Sequence, residues 1–84
     1  MNPIERARRK LGLSRTDFAV AAGVSYSEIF RAETGQTRTL NPDLAGFLRE
    51  LKSLDDPKGT YLRWRESHRA AIMKRLNPVE KGEL

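Results

Sequence analysis

Between Ser25 and Arg31 the chain reads Ser-Tyr-Ser-Glu-Ile-Phe-Arg, and these side chains have the most specific chemistry to offer. That chemistry is recognition rather than bond making. Arg31 lies one helical turn beyond Ser27, and an arginine can give two hydrogen bonds to guanine O6 and N7. Tyr26 can donate, accept, or lay its ring on a thymine methyl. Glu28 can accept from a cytosine amino group, or serve as a charge partner at a helix N-terminus. Nothing comparable points to catalysis. The 84 residues include no cysteine and one histidine, His68, which leaves neither thiol chemistry nor a transition-metal ligand set. No nucleophile–base set and no glycine-rich phosphate loop occurs. The expectation is a protein that is not an enzyme and needs no cofactor and no metal.

Side chains on so short a segment need elements to aim them. Residues 15–22 and 26–34 read as two short helices, capped by Ser14 and Ser25, whose hydroxyls can accept from free N–H groups of the first turn. The first places Phe18, Ala19 and Ala22 on one face, and the second places Ile29, Ala32 and Glu33 there. Between them Ala22-Gly23-Val24 reads as a helix end with a left-handed glycine and an apolar residue that turns inward. Ala19 is small where the helices must cross. This is the recipe of a helix-turn-helix, which lays its second helix in the DNA major groove.

The remaining elements support that pair. Residues 3–11 form a helix started by Asn2-Pro3, with Ile4, Ala7 and Leu11 inward. Asn41-Pro42 starts another, carrying Leu44, Phe47, Leu48 and Leu51 at helical spacing. Residues 53–59 read as a linker turn, Thr60 as the cap of a fifth helix over 61–76, and Asn77-Pro78 as its end. The organisation is one all-α domain, a compact five-helix bundle: a helix-turn-helix core over 1–52, the turn, a C-terminal helix over 60–77, and a polar tail over 78–84. On the fifth helix Tyr61, Trp64, His68, Ile72 and Leu76 share a face. That face can cap the core, form a dimer interface, or cover Phe30, which is otherwise expected to be partly exposed. The formal net charge of +5 favours a polyanionic partner. No apolar run approaches the ~20 residues that span a bilayer, and no apolar signal core follows the basic N-terminus. The expected setting is therefore cytoplasmic.

In order and spacing the chain resembles the lambda-repressor/Cro-like (XRE-type) helix-turn-helix family from about Ile4 to Leu51. The elements that carry the likeness are IERARRKLGLS, DFAVAAGVS, EIFRAETG and LAGFLREL, with Ala19, Gly23, Ile29, Glu33 and Gly35 in the family's spacing. The resemblance implies a compact all-α domain that binds operator DNA, usually as a dimer. It implies a structural ion pair between Arg8 and Glu33, and base reading by Tyr26, Ser27 and Arg31, with Glu28 beside them. Backbone contacts are expected from Ser14, Arg15 and Ser25, and from Thr34, Gln36, Thr37 and Arg38. Two residues depart from the pattern. Arg15 stands where an amide usually braces the second helix, and Phe30 stands at a usually polar position.

The expected function is sequence-specific transcriptional regulation by a homodimeric repressor on a roughly palindromic operator. Phe30, Tyr61, Trp64, Ile72 and Leu76 are the expected packing or dimer residues. Two rivals remain: an antitoxin whose C-terminal segment binds a toxin partner, and a protein-interaction module that does not bind DNA. A membrane partner is not expected.

Overall fold

In the computed structural model, which describes residues 2–82 and side-chain surroundings for 2–76, the helices are α1 (Pro3–Lys10), α2 (Arg15–Ala22), α3 (Tyr26–Thr34), α4 (Pro42–Glu50) and α5 (Pro57–Gly82). No strand occurs among the described residues. Each of the first four helices starts on a polar cap. Asn2 Oδ1 accepts from the Ile4 N–H at 2.7 Å, Ser14 Oγ from Asp17 at 3.1 Å, Ser25 Oγ from Glu28 at 3.2 Å, and Asn41 Oδ1 from Asp43 at 2.8 Å. A cap of this kind is worth about 0.5–2 kcal/mol relative to alanine. α2 and α3 both end on glycines in the left-handed region, Gly23 at φ 75° and Gly35 at φ 78°.

The core draws one or more large side chains from every element. Ile4, Phe18, Ile29, Leu44, Leu48 and Tyr61 are sealed from solvent, together with Leu40 from the loop before α4. Full burial of such a side chain contributes roughly 1.5–3 kcal/mol. Phe47 meets Phe18 at 5.8 Å between ring centroids, tilted by 60°. Leu11 and Leu51, expected to face inward, are 37% and 47% exposed. Each lies at the C-cap of its helix, α1 and α4 respectively. Ala45 and Leu40, not singled out in the sequence, are buried.

The fifth helix differs most from expectation. It begins at Pro57, not Tyr61, and its backbone runs through Asn77-Pro78 to Gly82. The cap is Asp56: its carboxylate accepts from the Gly59 N–H at 3.1 Å, and its carbonyl accepts from Thr60 at 2.9 Å. Asp56-Pro57 thus repeats the Asx-Pro start seen at Asn2-Pro3 and Asn41-Pro42. Gly59 had disguised it as a turn. The residues assigned to a linker therefore contribute the first turn of α5, and Pro57 itself is buried. Most of the supposed polar tail, residues 79–82, has a helical backbone, so Pro78 does not end the helix although an interior proline ordinarily costs about 3 kcal/mol. Residues 83–84 lie outside the described residues.

α5 packs on α1 and α4. Its 26 residues amount to roughly 39 Å of helix at 1.5 Å per residue. The molecule measures 52 × 23 × 20 Å, so the far half of α5 extends beyond the globule.

Candidate nucleic-acid interface

Glu33 organises the helix-turn-helix. Its carboxylate is 1% exposed, on the inner side of α3. Arg8 reaches it from α1 with two hydrogen bonds, Nε to Oε2 at 2.7 Å and Nη2 to Oε1 at 3.2 Å. A third Arg8 donor meets the Leu13 carbonyl at 2.9 Å and so ties down the turn before α2. Bidentate pairing of this kind lets a charge remain buried. Arg15 adds a second cation, with Nε 3.0 Å from Oε1. Its guanidinium carbon lies 5.5 Å from the Phe30 ring centroid. The pKa of Arg15 is raised, first of all by the hydrogen bond to Glu33.

The two departures in the sequence therefore meet each other. Arg15 braces α3 through Glu33 and covers part of Phe30, leaving that ring 39% exposed. The cover of Phe30 is thus an arginine of α2. The guanidinium thus does the bracing that an amide usually does at this position. The signal was the pairing of a cation at position 15 with an aromatic at position 30.

Asn2 ties α1 to the same helix in a second way. Its side chain is buried, and Nδ2 donates to the Ala32 carbonyl at 2.8 Å near the end of α3. Sequence reading saw only the cap. A tertiary partner for the other end of an amide carries no local signature.

The outer face of α3 stays open. Tyr26 is 49% exposed and Ser27 is exposed. Arg31 is half exposed and lies 3.5 Å from Glu28, a loose i,i+3 pair. Arg31 is therefore held over its own helix surface by a weak contact that a better acceptor can displace. The caps Ser14 and Ser25 are exposed, and because each hydroxyl oxygen accepts in its cap, the hydrogen remains to donate. Arg8, Arg9, Ser14, Arg15, Thr16 and Tyr26 line an open hollow of about 470 Å³ where α1, α2 and α3 converge. Arg8 and Arg15 share the Glu33 carboxylate and Arg9 pairs with Glu5 at 2.8 Å, so three arginines against two carboxylates leave one net positive charge beside the Ser14 hydroxyl, a modest attraction for a phosphate.

The segment after α3 is held from behind. Tyr61 of α5 donates to the Thr37 carbonyl at 2.7 Å, and Arg65 Nε donates to the Gly35 carbonyl at 3.0 Å. Burial pushes the Tyr61 phenol above its ordinary value, partly opposed by Arg65. Within the loop, Thr37 Oγ1 donates to the Thr39 carbonyl at 2.8 Å, Thr34 Oγ1 to the Phe30 carbonyl at 2.8 Å, and Gln36 Nε2 to Thr34 Oγ1 at 3.0 Å. Thr34 and Thr37 thus commit their hydroxyl hydrogens internally. Arg38 is exposed and makes no ion pair among the described residues.

The aromatic cluster of α5 belongs to this seat. The Trp64 ring lies against Gly35, where an added Cβ would come within 3.0 Å of it. His68 stacks on Trp64 at 4.9 Å and 13°. Tyr61 and Trp64 pack within the monomer, whereas Ile72 and Leu76 are 37% and 57% exposed. The shared face is thus divided between packed and exposed residues.

An α2–α3 pair locked by buried charge, with polar side chains on the outer face of α3 and cations around it, defines a helix-turn-helix protein. The helix-turn-helix family model matches residues 4–51, more than half of the chain, and the chain belongs to that XRE-type, lambda-repressor/Cro-like family. Neither a curated protein nor a solved structure matches it. The family is one of DNA-binding transcriptional regulators and is generally non-enzymatic. No helix among the described residues is long and apolar enough to cross a membrane.

Proposed function

We propose that the protein is a sequence-specific repressor that occupies a roughly palindromic operator as a dimer. The observation that carries this reading is the open outer face of α3: Tyr26, Ser27 and Arg31 are exposed, and Glu28 is spare enough to release Arg31. In this reading those side chains meet base edges. Ser14, Arg15, Ser25, Gln36 and Arg38 meet phosphates, and Thr34 and Thr37 join them by turning hydroxyls that now donate to the Phe30 and Thr39 carbonyls. Arg15 has two tasks, since its Nε serves Glu33 while its side chain also lines the hollow. Repression follows from occupancy alone, which requires only affinity and a site that overlaps a promoter. One compact helix-turn-helix reads one half-site weakly, and a second copy raises effective affinity without new kinds of contact.

Selection of bound sequences from a random DNA pool tests the whole reading. The expected product is an inverted repeat with half-sites about 34 Å apart, one helical turn centre to centre. Enrichment of a lone half-site removes the dimer, and failure to enrich any sequence removes the regulator.

A further inference from the structure

α5 has two faces with different fates. Tyr61, Trp64 and His68 turn toward the globule. Roughly a quarter-turn around the helix, at 100° per residue, Leu62, Ile72, Met73 and Leu76 form a stripe that is 41%, 37%, 42% and 57% exposed. Arg65 and Arg69 fall within that stripe. Arg65 is tied to Gly35, and Arg69 makes no ion pair among the described residues. A single exposed leucine means little, but apolar side chains gathered around a cation on a projecting helix form a patch that calls for a cover.

A matching surface lies elsewhere on the same chain. Between α2 and α4 runs a groove of about 370 Å³ with Ala21, Ala22, Gly46 and Phe47 along it and the carboxylates of Asp43 and Glu50 beside them. Asp43 and Glu50 stand two helical turns apart on α4. Both are exposed, and neither enters an ion pair among the described residues. Gly46 sits mid-helix, where glycine weakens a helix relative to alanine, yet an added Cβ there would meet nothing within 4 Å. The chain itself gives no reason for that glycine, whereas another helix passing close to α4 would.

We propose that the two surfaces dock: the α5 stripe of one copy lies in the α2–α4 groove of a second copy, reciprocally about a two-fold axis, with Arg69 against the Asp43 and Glu50 carboxylates. Charge selects this arrangement. α5 against α5 would set Arg69 of one copy near Arg69 of the other, with only Glu66 at the stripe's edge to oppose it, whereas the groove offers two carboxylates. Reciprocity closes the assembly, since a single head-to-tail contact would propagate. None of the residues used belongs to the outer face of α3, although Ile72, Met73 and Arg69 border Thr34 and Gly35 at its end. The inference rests on the reading of the protein as a dimer and adds which faces meet.

The test uses the full chain with Arg69→Glu and Glu50→Lys, both at exposed side chains, and measures dimerisation by sedimentation equilibrium. Thermal melts check that each variant is folded. Wild type is expected to dimerise, and each variant alone to dimerise about tenfold more weakly. An equimolar mixture is expected to recover wild-type affinity, because both junctions of the mixed dimer then pair opposite charges. A mixture no tighter than either variant overturns the docking. So does a Glu50→Lys chain that dimerises like wild type, which leaves the dimer reading intact and moves the contact to α5 alone. A wild-type chain that stays monomeric on DNA and off it overturns both the docking and the dimer.

Discussion

Glu33 holds two cations of unequal burial, and the inequality is measurable. Arg8 has a side chain 12% exposed, while Arg15 is 34% exposed. Removing the acceptor strands a buried arginine, and breaking a buried pair typically costs about 3–5 kcal/mol. Glu33→Gln is therefore expected to lower the thermal midpoint sharply. Arg8→Met leaves Glu33 still bonded to Arg15 and should cost less, and combining the two changes should recover part of the glutamine variant's loss. Chemical denaturation of the three chains checks the order, and equal small losses near 0.5 kcal/mol would place the pair in solvent-like surroundings. The outer face is tested on DNA. Arg31→Ala is expected to cost about 1–3 kcal/mol at the preferred site and relax one base pair. Arg38→Ala is expected to weaken all sequences alike and flatten the salt dependence by about one unit of slope. Binding titrations over a salt series separate the two, and an unchanged preference in Arg31→Ala would remove it from base reading.

At the scale of elements, the first half of α5 is a brace for the loop that follows the recognition helix. Its contact with Gly35 can be disturbed by one methyl group. Gly35→Ala combines a φ of 78° with a Cβ 3.0 Å from the Trp64 ring, so it should destabilise by more than about 1 kcal/mol. The other anchor, Tyr61, gives a pH signature. Its folded-state pKa is raised above the ordinary 10.0. The neutral phenol is the stabilising form, so its contribution is complete below the pH at which an unfolded tyrosine titrates. That contribution is lost as pH climbs through the higher folded value. Melting temperature followed into alkali should fall in wild type above about pH 10. Tyr61→Phe should start lower, by about 1–3 kcal/mol for the unpaired Thr37 carbonyl, and fall less steeply. Parallel curves for the two chains would show that Tyr61 does not report this transition.

At the scale of the molecule, the division of α5 sets the residues of the proposed dimer contact apart from those that hold the fold. Trp64 lies in the monomer, and Leu76 lies on the projecting half. Trp64→Ala is expected to lower the melting temperature and to weaken binding to a half-site and a full site equally. Leu76→Glu is expected to leave melting and half-site binding unchanged while reducing cooperative binding to a full site. Gel-shift titrations on both DNAs give the comparison. Matching losses in the two variants would make the whole helix a cap on the monomer core.

The sequence by itself determined what is local. Asn-Pro and Ser caps, left-handed glycines and the helical spacing of Ile4 with Ala7, Phe18 with Ala22, Ile29 with Ala32 and Leu44 with Leu48 are short-range features, and they specified α1 to α4 and the inward side of each. Glu33 stood out as a charge on an apolar face, and the family resemblance supplied Arg8 as its partner. The start of α5 was present too, in Asp56-Pro57, but Gly59 carried a competing turn signal, and only the burial of Pro57 and Tyr61 against α1 and α4 resolved the conflict. What tertiary structure alone decided is who meets whom over long separations: Arg15 with Glu33 and Phe30, Asn2 with Ala32, Tyr61 with Thr37, Trp64 with Gly35. Such contacts depend on how whole helices cross. A crossing is the sum of many packing choices, and no one of them leaves a mark at the residues it brings together.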